Sequence, residues 1–469
     1  MATSRQALTG NPALCGAQVV NSILTWTQGS AVTFDNLIAG EQGTETAGAE
    51  GSAARIPGIP PPTSGYSCIL FAFAYTAQRQ SHSNRGSIEP MTRADRQFKA
   101  HETPKIIVVG AGAAGVGIGV ALKQAGFEKV LLIDRHDVGA SFDRWPDEMR
   151  FITPSFPTNS MGMLDLNSIA IGTSPAYSLG EEHPSGSRYA GYLRAVARHF
   201  RLRTKKGVDV SAIAVEDGGF LLQTTQGNIR ANYVVWAAGE FQYPRARPFP
   251  GAELCLHNSQ VASWRDLEGE EFLIIGGYES GIDSAIQLAR LGKRVTVLER
   301  SPVWDLNNSD PSVVLSPYTL ERLRAADVES RIRRAAPVDV VEVRRWGSGF
   351  EVGCRSGQKF RTRSAPILAT GFTGSQRLIR HLFAERDDGY PLLSASDEST
   401  LTPGLFLAGP LVRHEGHIFC FIYKYRQRFA VVARAIAVRE GLDQDVLESY
   451  RQWGMLLDDL SCCGQQCEC

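Results

Sequence analysis

KIIVVGAGAAGVGIGVALKQ, residues 105–124, reads as a strand, a glycine-rich turn and a helix in direct succession. The unbroken apolar run from Ile106 to Val109 has the pattern of a strand covered on both faces, and Ala113 to Gln124 that of a helix. KVLLIDR, residues 129–135, adds a second strand and completes a βαβ unit. Within GAGAAG, Gly110, Gly112 and Gly115 fill every position of the G-x-G-x-x-G fingerprint. Gly110 permits the tight turn, Gly112 lets the backbone approach a pyrophosphate, and Gly115 lets the helix pack closely on the strand. Ala113 opens the helix, whose free N–H groups and dipole hold the anion. Asp134 closes the second strand 24 residues after Gly110, placed to accept bonds from ribose hydroxyls, with Arg135 next to it.

The pattern returns about 165 residues later as EFLIIGG, a helix from Ser280 to Leu291, and RVTVLER. GGYESG keeps Gly276, Ser280 and Gly281 but has Tyr278 where the middle glycine belongs, and a side chain there crowds a pyrophosphate. Glu299 occupies the ribose position and Arg300 follows it. An acid favours NADH, whereas a guanidinium pairs with the 2′-phosphate of NADPH, so the strand end points both ways. Further strand ends follow in WAAGEF with Gly239, LATGF with Thr370 and Gly371, and LFLAGP with Gly409 and Pro410. The order predicts an α/β fold in which one Rossmann-like dinucleotide domain, 104–247 and 372–440, is interrupted by a second at 248–371. Residues 441–469 are expected to form a C-terminal helix and a cysteine-rich tail.

A chain of 469 residues exceeds what one core usually serves. Lys plus Arg equals Asp plus Glu at 49 each, so no overall field draws nucleic acid or an anionic membrane. A small-molecule substrate is the expected partner. No apolar run approaches the roughly 18 residues of a membrane span, and a cytoplasmic location is expected. Residues 1–100 are rich in small residues and Pro, lack Lys before Lys99, and read as a poorly ordered extension. The first 34 residues carry one Arg and no acid, as in an organellar transit peptide, and Met91 offers an alternative start.

On these motifs the chain resembles the flavin-containing and Baeyer–Villiger monooxygenases, two-dinucleotide-domain flavoproteins, over residues 104 to about 440. VGASFDRWPDEMRFITPSFP, residues 138–157, is similar to the family's glycine-pair and aromatic segment and the basic Thr-Pro segment after it. HPSGSRYAGYLRAVARHF, GGYESG, RSPVW and LATGF follow in family order. The resemblance implies FAD on the first unit and a nicotinamide cofactor on the second, with Arg300 selecting NADPH over NADH. It implies that Phe142, Trp145, Arg150 and Thr153 run past the flavin ring and that Asn159 is an amide donor near flavin C4a. The implied activity is a monooxygenation with O2 through a C4a-hydroperoxyflavin. Two departures stand out. In FPGAELCLH, His257 lies two positions beyond the family spacing, and the acid of the Gly-Asp pair common in related reductases is replaced by Pro410.

The nine cysteines form no disulfide framework. None lies in 135–254 or 282–353, so both usual places for a flavin-side dithiol are empty of cysteine. SCCGQQCEC gathers Cys462, Cys463, Cys467 and Cys469. Four close thiols suit a soft cation, a swinging redox pair serving an NAD(P)H-dependent reductase, or an end without function; C-C-x-x-x-C-x-C is not a standard zinc pattern. A soft-metal-binding protein on a degenerate flavoenzyme fold is the reading from a different class. His414 and His417 in RHEGHIF have the i, i+3 spacing that on a helix face could serve a metal, and are read instead as ring-facing or backbone-bonded histidines.

Overall fold

A computed structural model describes residues 106–157, 163–308 and 310–461. Asn159, the extension and the four tail cysteines lie outside the described residues.

Ile106–Val109 sits at the centre of a parallel five-stranded sheet, flanked by Val130–Asp134 and Tyr233–Trp236. Thr204–Lys206 and Leu405–Leu407 close its two edges. Ile106, Ile107 and Val108 are fully buried, as the unbroken apolar run requires of a strand covered on both faces. The last strand of this sheet enters only after a second parallel sheet has formed, ordered 332–335, 294–298, 271–275, 367–368 and 256–257. Each parallel sheet is accompanied by a three-stranded antiparallel one, at 210–231 and 340–362. The architecture is thus α/β with one Rossmann-like unit inserted in another.

The helices after the two turns differ because their surroundings differ. Ala113–Gln124 is buried continuously from Ala113 to Leu122, since it lies between the sheet and the late helix Phe429–Arg439. Gly117 makes that packing close: a Cβ there would lie 2.0 Å from the Phe429 ring. Glu279–Arg290 carries Arg290 on its last turn and buries Ile282, Ala285, Ile286 and Leu288 in a separate core. Among the described residues no helix is long and apolar enough to cross a membrane.

Candidate functional site at the two glycine turns

The first turn is held by three backbone constraints. Gly110 has φ +103°, and a Cβ on it would lie 2.4 Å from the Ala237 carbonyl oxygen. A Cβ on Gly115 would lie 1.8 Å from the Gly110 oxygen. Neither position accepts a side chain. Gly112, the residue before the helix, is different: nothing lies within 4 Å of the place its Cβ would take. That open space at a helix N-terminus is the kind of cradle an anionic diphosphate fills. Asp134 clamps the turn, its Oδ2 accepting the Ala111 N–H at 2.8 Å and its Oδ1 the His136 N–H at 2.8 Å. Lone pairs remain on both oxygens for ribose hydroxyls.

The second turn repeats this construction except that Tyr278 stands in the place of Gly112. Gly276 has φ +106°, with a would-be Cβ 2.3 Å from the Ala369 oxygen, and Gly281 faces the Gly276 oxygen at 1.9 Å. Glu299 receives the Gly277 N–H at 2.5 Å and the Ser301 N–H at 2.7 Å. Tyr278 takes the backbone conformation of Gly112, φ −92° and ψ −166° against −79° and −165°. Its hydroxyl lies 3.0 Å from the carbonyls of both Pro311 and Val314, which anchors the ring on that neighbouring segment. Trp304, buried, donates its indole N–H to the Gly277 carbonyl at 2.7 Å, while Arg300 is exposed at the strand end.

Between the turns lies a cavity of about 380 Å³. Gly110, Gly112, Ala113 and Asp134 line it at one end, and Ser280 with Glu279 from the second turn at the other. Phe142 and Trp145 form one wall, packed with Phe151 at ring separations of 5.0–5.6 Å. Arg150 and Thr153 also line it. The Arg150 guanidinium donates to the Asp147 and Met149 carbonyls at 2.7 and 2.9 Å, and the Thr153 carbonyl accepts from Asn167. Gly239 and Pro410 border the cavity too, where Gly239 and Gly409 turn the chain out of neighbouring strands.

Other expected residues stand elsewhere. Arg135 lies off the cavity wall, paired with Asp209 at 2.9 Å and bonded to the Tyr243 hydroxyl at 2.8 Å. Thr370 bonds the Arg245 carbonyl at 2.8 Å. The Gly371 carbonyl lies 3.2 Å from His257 Nε2, whose Nδ1 sits 2.8 Å from Ser259 Oγ. Burial holds His257 below its ordinary pKa, so the neutral ring donates from Nε2 and ties the start of the inserted unit to its end. His414 and His417 are not on a helix face. They oppose each other in a two-stranded hairpin, and His414 points at buried Asp397, 2.5 Å away, which Arg428 also binds. The i, i+3 spacing is shared by helices and tight hairpins, and here the hairpin holds.

Sequence reasoning missed the polar groups that join the units. Glu148 accepts from Ser263 Oγ at 2.6 Å and from the Trp264 N–H at 3.1 Å. Lys424 bonds Asp310 at 2.5 Å and Ser312 Oγ at 2.7 Å, with the Cys420 sulfur 3.1 Å from the same hydroxyl. Within the inserted unit, Asp283 and Arg322 form a buried pair at 2.6 Å. Cys420 lines the cavity, and burial pushes its thiol up, away from the thiolate form.

Compared with known proteins, residues 107–409 match the family model for pyridine nucleotide-disulphide oxidoreductases. The chain belongs to that family. It is an FAD-dependent oxidoreductase of the two-dinucleotide-domain type. Among relatives, bacilliredoxin reductase Bdr of Bacillus subtilis is 24% identical over 342 residues, covering 72% of this chain and 98% of that protein. A Baeyer–Villiger monooxygenase of Streptomyces coelicolor is 25% identical over 245 residues, 50% of this chain and 45% of that protein. Among solved structures, the bacillithiol disulfide reductase Bdr of Bacillus cereus overlaps 72% of this chain and 100% of its own, with TM-score 0.59 at 21% identity. A flavin-containing monooxygenase from Stenotrophomonas maltophilia overlaps 71% and 98%, with TM-score 0.54 at 16% identity. Both likenesses are of fold.

Proposed function

We propose that FAD is held on the Gly110–Gly115 turn, NADPH on the Gly276–Gly281 turn, and that the chain is a monooxygenase acting on a small nucleophilic substrate with O2. The open cradle at Gly112 and the free acceptor capacity of Asp134 fit a diphosphate and its ribose. When bound, the flavin supplies hydride acceptance from the nicotinamide and the activation of oxygen. The chain's part is alignment and exclusion of water. Phe142, Trp145 and Phe151 give the cavity an apolar wall, and His257 fixes the junction of the two units beside it.

The observation that carries the oxygenase reading is the cavity's thiol content. Among the described residues Cys420 is the single cysteine on its lining, and burial pushes its thiol up, away from the thiolate form, so no dithiol among them stands on the wall to relay electrons from the flavin. Arg300 beside Glu299 supports NADPH over NADH. The reductase reading, with a disulfide or other external acceptor, is favoured by the full-length coverage of Bdr. Oxygen uptake and peroxide release, followed with NADPH and a panel of amines, sulfides and small disulfides, separate the two. A nucleophile that consumes oxygen without matching peroxide supports the oxygenase. Disulfide reduction with no oxygen uptake supports the reductase.

A further inference from the structure

Leu407 pairs with Trp236, and the Ala408 N–H donates to the Trp236 carbonyl at 2.9 Å. Beyond that point two neighbouring strand ends enter the cavity side by side, one carrying Gly239 and Glu240, the other Gly409 and Pro410. Pro410 offers no side-chain acceptor; Glu240 offers a carboxyl. That carboxyl accepts no hydrogen bond from any described residue, although it lines the cavity and is largely shielded from solvent. Its own backbone carbonyl is satisfied by the Tyr243 N–H at 2.8 Å. Arg413, whose charge acts on Glu240, is committed elsewhere: it donates to the Pro410 and Val412 carbonyls at 2.9 and 3.0 Å and lies 4.5 Å over the Tyr390 ring. Tyr425 lines the same cavity within electrostatic reach of Glu240, is 5% exposed, and its hydroxyl has no partner among the described residues.

A shielded carboxyl and a buried phenol left without partners are costly, and native proteins pair such groups. Phosphate is the wrong partner for an acid. The complementary groups are hydroxyls, which donate to a carboxylate and accept from a phenol. We infer that Glu240 and Tyr425 bind the hydroxyl groups of the sugar-alcohol chain that joins the flavin ring to its diphosphate. This rests on the reading that FAD occupies the first turn. Burial favours the neutral acid and Arg413 opposes it, and in either form the carboxyl bonds a hydroxyl.

The test is binding to the full-length apoprotein, followed by quenching of flavin fluorescence, with ADP as the second probe because it carries the diphosphate without the sugar alcohol. Glu240→Leu weakens FAD by about tenfold or more and leaves ADP within about twofold, whereas Glu240→Gln, which keeps an acceptor, stays near wild type. Tyr425→Phe gives the same selective loss, smaller in size, and carries the test should Glu240→Leu fail to fold. FAD affinity unchanged in Glu240→Leu or in Tyr425→Phe, or FAD and ADP weakened alike, overturns the inference alone. A wild-type chain that binds ADP but takes up no FAD overturns the parent reading, and this one with it.

Discussion

Asp134 and Glu299 hold equivalent places in two turns 165 residues apart. Each carboxylate receives the N–H of the residue after the first glycine and the N–H two residues beyond itself, at 2.5–2.8 Å. A carboxylate pairing with two backbone amides fixes the turn before any ligand arrives, and its removal leaves two donors unmatched. Asp134→Ala is therefore expected to weaken retention of flavin about tenfold with little change in KM for the nicotinamide cofactor. Glu299→Ala is expected to do the reverse. Flavin content after gel filtration and steady-state KM for NADPH check both.

Arg300 stands exposed beside Glu299, where a 2′-phosphate would meet it. Arg300→Ala should raise KM for NADPH by about tenfold and KM for NADH by less than about twofold. Equal effects on the two coenzymes would remove Arg300 from the site.

Gly117 faces the Phe429 ring at a separation no side chain tolerates. Gly117→Ala is expected to lower stability by ~1–3 kcal/mol through overpacking, read as an earlier thermal transition. Phe429→Leu in the same chain should restore part of the loss, since the ring is what the added methyl strikes.

His257 sets a pH dependence. Its folded-state pKa lies below its ordinary value because burial disfavours the charged ring. The unfolded chain thus binds a proton that the folded one resists. Stability contributed by the neutral ring is complete above about pH 6.5, falls as the pH drops below that, and levels off beneath the folded-state value. His257→Gln should flatten this part of the profile. Denaturant midpoints for both proteins at about pH 5.5 and about pH 8 test it.

Much of the fold was legible because its determinants are local. Gly110 and Gly115 are demanded by backbone approach within a few residues, and the apolar run Ile106–Val109 declares a doubly covered strand. The insertion was legible because the same pattern recurs at Gly276 and Glu299. The wall residues Phe142 and Trp145 were found through resemblance alone. What stayed hidden depends on partners far away in sequence: Glu148 with Ser263, Lys424 with Asp310, and Glu240 beside Tyr425. No spacing announces such pairs. Arg135 follows Asp134 at the strand end, and its guanidinium is bonded to Asp209 and Tyr243, partners no local spacing announces.

The most direct measurement is anaerobic. The full-length protein is purified, its visible spectrum recorded, and NADPH added without oxygen. Two working turns facing one cavity predict a bound flavin whose blue-light absorption band bleaches on NADPH addition and returns when oxygen is admitted. A protein that holds no flavin, or a flavin that NADPH leaves oxidised, would contradict the account.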